Sequence, residues 1–189
     1  MKEEISVCWF RRDLRLDDNA ALYEALRGPY PVLPLFIFDT KILKKLSNRE
    51  DPRVTFIHHT LQEIHSELAT QGSTIAVEYG TPEEVWIQIL KNYNVKAVYT
   101  NHDYEPNAIE RDDALAEYLA SEQIEFKTFK DQVIFEKNEI LKADGKPYTV
   151  FTPYFNQWRA KLNEFYIKSY PINNYFNNLL KIASLPLPT

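Results

Sequence analysis

Two stretches of this chain concentrate the residues able to do chemistry. The first is Arg11-Arg12-Asp13-Leu14-Arg15-Leu16-Asp17-Asp18-Asn19, directly behind the apolar run Ile5, Val7, Cys8, Trp9, Phe10. Charges beside a core strand must be paired or solvated, because an uncompensated one costs on the order of several kcal/mol. The loop therefore either holds a polar ligand or is a structural or inter-domain network, with Arg11, Arg12 and Arg15 pairing with Asp13, Asp17 and Asp103. The network is the preferred reading, since such networks are common in proteins. The second stretch is Thr100-Asn101-His102-Asp103-Tyr104-Glu105-Pro106-Asn107. Its Asp103, Glu105 and Asn107, together with Phe36, Phe38, Asp39 and Arg53, offer a flat apolar wall, one guanidinium and several acceptors. That set suits a planar heteroaromatic ring with polar edges. Core aromatics plus helix-capping acids would leave the same residues, so both readings stand at this point.

Other chemistries find less support. The four glycines, Gly28, Gly72, Gly80 and Gly145, make neither G-x-G-x-x-G nor a P-loop, so the usual dinucleotide and nucleoside triphosphate cradles are not indicated. His58, His59, His65 and His102 do not form a convergent ligand set with a supporting shell, and no metal site is expected. No Ser/His/Asp, Cys/His or paired-carboxylate constellation stands out, and no catalytic residue is assigned. Trp9 and Trp86 read as core. Trp158, with Tyr154 and Phe155, reads as an anchor for a linker or for a neighbouring domain.

These residues are positioned by an alternation of strands and helices. Strands are expected at 5–10, 32–38, 73–79, 95–99 and 124–129. Pro34 would remove a ladder bond from the second and invites a local irregularity. Asp17 or Asp18 is expected to cap a helix over 19–27, ended by Gly28-Pro29. A short helical turn at 40–46 and a polar loop at 47–51 follow. Asp51-Pro52 opens the clearest helix, with Val54, Ile57, Leu61, Ile64 and Leu68 on one face and Gly72 at its end. Thr81-Pro82-Glu83-Glu84 is a capping box, with Val85, Ile89 and Leu90 turned inward. A helix over 107–122 should bury Ile109, Leu115 and Leu119. Thr152 should cap a helix over 153–168, and the asparagine-rich 172–189 reads as a linker with a brief amphipathic piece, mobile when its partner is missing. The alternation implies an α/β, three-layer Rossmann-like fold: a five-stranded parallel sheet of order 3-2-1-4-5 with helices on both faces. Strands one and four then flank the point where strand order reverses, where ligands collect in such sheets. Both polar loops should meet there.

Composition narrows the class. A length of 189 residues, 44% hydrophobic and 26% charged, fits one globular domain with a real core. A net charge of −5 makes the chain a poor phosphate grip by itself, so any DNA contact should fall to another region. The single Cys8 rules out an internal disulfide and suits a reducing cytoplasm. No apolar run reaches membrane-spanning length, and MKEEIS lacks a signal-peptide core.

The run WFRRDLRLDDNAAL resembles the opening of the DNA photolyase and cryptochrome family. VLPLFIFD at 32–39, NHDYEP at 101–106 with Arg111-Asp112, and YTVFTPYFNQW at 148–158 match the family's pattern in order, over about residues 5–160. The resemblance covers the family's N-terminal domain, expected at 1–135. It implies that 136–189 is a linker with one helix leading to an absent helical domain that binds FAD. It further implies an antenna chromophore held by positions that include Phe36, Asp39, Arg53 and Asp103. Deazaflavin or FMN is favoured over methenyltetrahydrofolate, because Ala108 rather than Glu follows Asn107. The full-length protein would then repair cyclobutane pyrimidine dimers with light and would flip the lesion from the duplex. A cryptochrome photoreceptor fragment and a stand-alone nucleotide- or flavin-binding module are the alternatives. The missing partner domain implies an exposed aromatic surface and, through it, a homodimer.

Overall fold

The computed structural model describes residues 2–48 and 51–187. Residues 49 and 50 of the expected polar loop, and the last two residues of the tail, lie outside that range. The elements are β1 (Glu4–Phe10), α1 (Ala20–Leu26), β2 (Val32–Asp39), α2 (Thr40–Leu43), α3 (Pro52–Thr70) and β3 (Ala76–Gly80). They continue with α4 (Pro82–Asn92), β4 (Asn94–Asn101), α5 (Pro106–Ser121), β5 (Glu125–Phe129) and α6 (Phe151–Lys161). Two 3-10 helices, Glu164–Ile167 and Ile172–Asn178, close the chain. All five strands pair in parallel in the order β3-β2-β1-β4-β5.

The sheet is parallel because its central strands are apolar on both sides and need helices over each face. Cys8, Phe36, Phe38 and Tyr99 turn toward a core shared with α1 and α3. Val7, Trp9, Leu35 and Ile37 turn toward a second core with α4 and α5. Trp9 and Trp86 meet edge to face there, with centroids 5.8 Å apart. Pro34 sits opposite Cys8 in an unbroken register. The irregularity falls instead between Ile5 and Ser6, where β1 meets β4. In a parallel strand alternate residues serve opposite neighbours, so a proline loses a single donor without breaking the ladder.

Several local signals act as the sequence implies. Asp51 caps α3 ahead of Pro52, Thr81 and Glu84 complete a reciprocal capping box, and Gly72 follows α3 at φ +68°, where a side chain would be strained. Others differ. Asn19, not Asp17 or Asp18, caps α1. Ile109 is 46% exposed, and Ala108 takes its place beside Leu115 and Leu119 on the buried stripe of α5. Thr152 lies inside α6 and caps nothing. The helix stops at Lys161, and Asn163 starts a separate turn by accepting from the Phe165 amide at 3.0 Å.

The tail differs most from a mobile linker. Ile172, Phe176 and Leu179 join the core on the α1/α3 side, and Leu180 joins the other. The Leu180 amide donates to the Val32 carbonyl at 2.8 Å and the Ile182 amide to Gly72 at 3.2 Å. The Asn178 side chain donates to the carbonyls of Leu26, Gly28 and Tyr30, which close the end of α1. Ile172, Phe176 and Leu179, spaced by four and three residues among the asparagines, make one apolar face of a helical turn.

Candidate functional site

The carboxyl ends of β1 and β4 do converge. Asn101, the last residue of β4, donates to Asp13 at 2.6 Å and to Asn19 at 2.9 Å. Asp13 also accepts from the Arg11 amide at 2.8 Å. The first amides of α1 are each taken: Ala20 donates to Asp131, Ala21 to Asn101 and Leu22 to Asn19, at 3.0, 2.9 and 3.0 Å. A helix start in this position is where a dinucleotide fold receives phosphate. Here protein groups fill it, which agrees with the missing glycine cradle.

The arginines divide their work. Arg11 Nη1 donates to both Asp112 oxygens, at 2.6 and 2.7 Å, and Nη2 donates to the Asn101 carbonyl. Arg111 holds the same Asp112 at 2.9 Å, and both guanidinium groups lie against Trp9, 5.2 and 4.9 Å from its ring centre. Arg15 pairs with Asp131 at 2.8 Å. Arg12 pairs with Glu105 at 2.6 Å and stands 3.7 Å from Asp103. The hydrogen bond to Glu105, acting against partial burial, raises the Arg12 pKa. Of the pairings expected from the sequence, only Arg12 with Asp103 forms. Asp13 serves backbone and amide donors, and Asp17 is exposed outside the network. Cys8 is buried beneath, and burial, then the charges of Asp13 and Asp131, push its thiol pKa up.

The residues assigned to a flat ligand separate into three groups. Phe36 and Phe38 are 6% and 8% exposed and meet edge to face at 5.0 Å, so they are core side chains with little face left open. Asp39 caps α2 through the Lys41 amide, and Arg53 pairs with Asp51 at 2.6 Å while remaining largely exposed. Asp103 and Glu105 gather on Arg12, while Asn107 is exposed in the first turn of α5. Trp158 packs edge to face on Phe135, 5.7 Å away. Two hollows are described, and neither lies at the β1/β4 switch. One of about 550 Å³ lies on the outer face of α3 at His59 and Glu63; one of about 260 Å³ lies between Ile140 and Gln157.

Sequence reasoning missed Asp112 and Asp131, the acceptors of Arg11 and Arg15, because nothing local marks them as partners. It also missed Ile42, Phe56 and Tyr79, which are 55%, 72% and 66% exposed at the end of the sheet where β2 and β3 finish. Phe56, one turn after Arg53 in α3, and Tyr79 in β3 were legible only as helix and strand positions. Among the described residues no helix is long and apolar enough to cross a membrane, and no group of three metal-ligating side chains occurs.

The DNA photolyase family model matches residues 6–172. A deoxyribodipyrimidine photo-lyase of Synechococcus sp. is 32% identical over 153 residues, 81% of this chain and 31% of that protein. A bacterial class III photolyase from Agrobacterium tumefaciens superposes with a TM-score of 0.74 at 27% identity, covering 87% of this chain and 33% of that one. An archaeal photolyase from Sulfolobus tokodaii, crystallised with two FAD molecules that implicate a novel light-harvesting cofactor, gives 0.69 at 30% identity, covering 85% and 36%. The chain thus spans about a third of the length of these relatives.

Proposed function

The chain belongs to the DNA photolyase family, and from that premise we propose that it is a light-harvesting domain. It holds a flat antenna chromophore, deazaflavin or FMN in preference to methenyltetrahydrofolate, at the carboxyl end of its sheet. The observation that carries this reading is the convergence of the β1 and β4 loops, which sets Arg12, Asp103 and Glu105 beside the switch point. Asp39, Asp103, Glu105 and Asn107 supply acceptors for polar ring edges, and Arg53 supplies the one well-exposed guanidinium on the β2 side. With Phe36 and Phe38 packed into the core, the ring faces fall to Phe56 and Tyr79.

A phosphate on the ligand does not go to the start of α1, whose amides are occupied. Arg53 is the group that would meet it. FAD and the light-driven splitting of pyrimidine dimers belong to a helical domain of the full-length protein. That domain docks on the exposed aromatic surface of α6, where Phe151, 74% exposed, stacks on Phe155 at 5.7 Å. The same surface supports a homodimer when that domain is missing.

Fluorescence titration of the purified chain with FMN, deazaflavin, methenyltetrahydrofolate and ATP tests the reading. Binding of a flavin-type ring, weakened at least several-fold by Arg53→Ala and Asp103→Asn, is expected. ATP as the sole ligand would place the chain among nucleotide-binding modules instead. The chain alone should leave a dimer-containing oligonucleotide unrepaired under light, and repair would overturn the division of labour.

A further inference from the structure

We infer that Glu136 is a positioning residue for the β4 loop: one carboxylate oxygen grips the two neighbours of Asp103 and thereby aims Asp103 at Arg12. The inference rests on the antenna reading for its purpose, though not for its geometry. The Tyr104 hydroxyl donates to Glu136 Oε2 at 2.7 Å, and His102 Nδ1 lies 2.7 Å from the same oxygen. His102 Nε2 lies 2.9 Å from Thr128 Oγ1 on β5, so the imidazole is held at both nitrogens. With Nδ1 donating to the carboxylate, Nε2 is left to accept from the threonine hydroxyl.

His102 and Tyr104 are both drawn toward Glu136, whereas Asp103 between them meets Arg12 instead. It does so with a side chain only 7% exposed, 3.7 Å from Arg12. The Glu105 amide, 3.3 Å from Asp103 Oδ1, locks the same turn. Glu136 is itself fixed: its amide donates to Glu139 at 2.7 Å, and Lys130 holds Glu139 at the same distance. Burial raises the Tyr104 pKa, and the bond to Glu136 adds to this, so the phenol stays a donor. For Glu136, burial by itself would raise the pKa, but the hydrogen bonds from Tyr104 and His102 together outweigh it and lower the pKa, so it stays an acceptor. The acceptor that orients the ligand side of the loop therefore comes from the segment after β5, which none of the candidate ligand residues occupies.

The test is a double-mutant cycle with FMN as the probe. Glu136→Ala should weaken binding about tenfold, a size ordinary for loss of a supporting hydrogen bond behind a ligand-binding residue. Glu136→Gln, which keeps one oxygen in place, should stay within about twofold of the starting protein. In the Asp103→Asn background Glu136→Ala should cost little more, because it acts through Asp103; multiplied losses would show independent roles and overturn the inference. A second readout needs no ligand. The carboxyl-carbon resonance of Asp103 and the guanidinium resonance of Arg12 should shift in Glu136→Ala and not in Glu136→Gln. Unmoved resonances would sink the positioning role even if flavin binds. If no flavin binds while the resonances shift, the antenna reading fails and the clamp stands.

Discussion

The two ends of the sheet are closed by opposite means. Where the strands finish, Arg11, Arg12 and Arg15 meet Asp112, Glu105 and Asp131, and Asn19 and Asn101 meet Asp13. Where the strands begin, the tail lays Ile172, Phe176, Leu179 and Leu180 into both cores and adds polar contacts from Asn178, Lys181 and Ser184. Apolar closure is non-directional and mainly stabilises. Polar closure contributes less net free energy, but it fixes where each group points. Stability is thus concentrated at one end, and the candidate site lies at the other.

The comparison breaks most readily at Phe176. Phe176→Ala should lower stability in urea by about 3–5 kcal/mol, without moving the ion pairs at the far end. A loss below 1 kcal/mol would mean that the tail is not a structural part of the domain. Next is Asn101→Ala, which strands the Ala21 amide and takes one of its donors from Asp13. Removing a partner from buried groups costs about 1–3 kcal/mol, and calorimetry should place the loss in that range. Asn178→Ala should cost about 1 kcal/mol, because water can serve the three carbonyls it leaves.

Acid sharpens the contrast. Glu136 has its pKa lowered from an ordinary 4.5 in the fold. Its contribution is therefore fully present above pH 4.5 and is lost as pH falls through the lowered value. Asp51, lowered to about 2 first by the Arg53 hydrogen bond, behaves alike over a wider range, from the ordinary 3.8 downward. Hydrogen exchange on acidification should loosen the loop after β4 while leaving Leu179 and Leu180 protected. The smallest effect is expected at Arg53→Ala, which should leave the urea midpoint in place because its side chain is solvated. Its effect should appear in ligand affinity instead.

Local chemistry was readable without coordinates wherever the partners are neighbours in the chain. Asp51-Pro52, Thr81 with Glu84, and Gly72 announce their helix ends through contacts a few residues long. The two-sided apolar runs of β1 and β2 require a parallel sheet covered on both faces, and the strand order then brings the loops at 11–19 and 101–107 together. What the sequence left open is decided by contacts between elements distant in the chain. Arg11 finds Asp112 and Arg15 finds Asp131, not the aspartates beside them, because only the sheet brings those acidic groups within 3 Å. Phe36 and Phe38 are interior, because α3 packs over the face they share. Asn178 is a clasp and not a linker residue, because the end of α1 presents three carbonyls to it. Composition and spacing set which groups need partners; packing alone chose the partners.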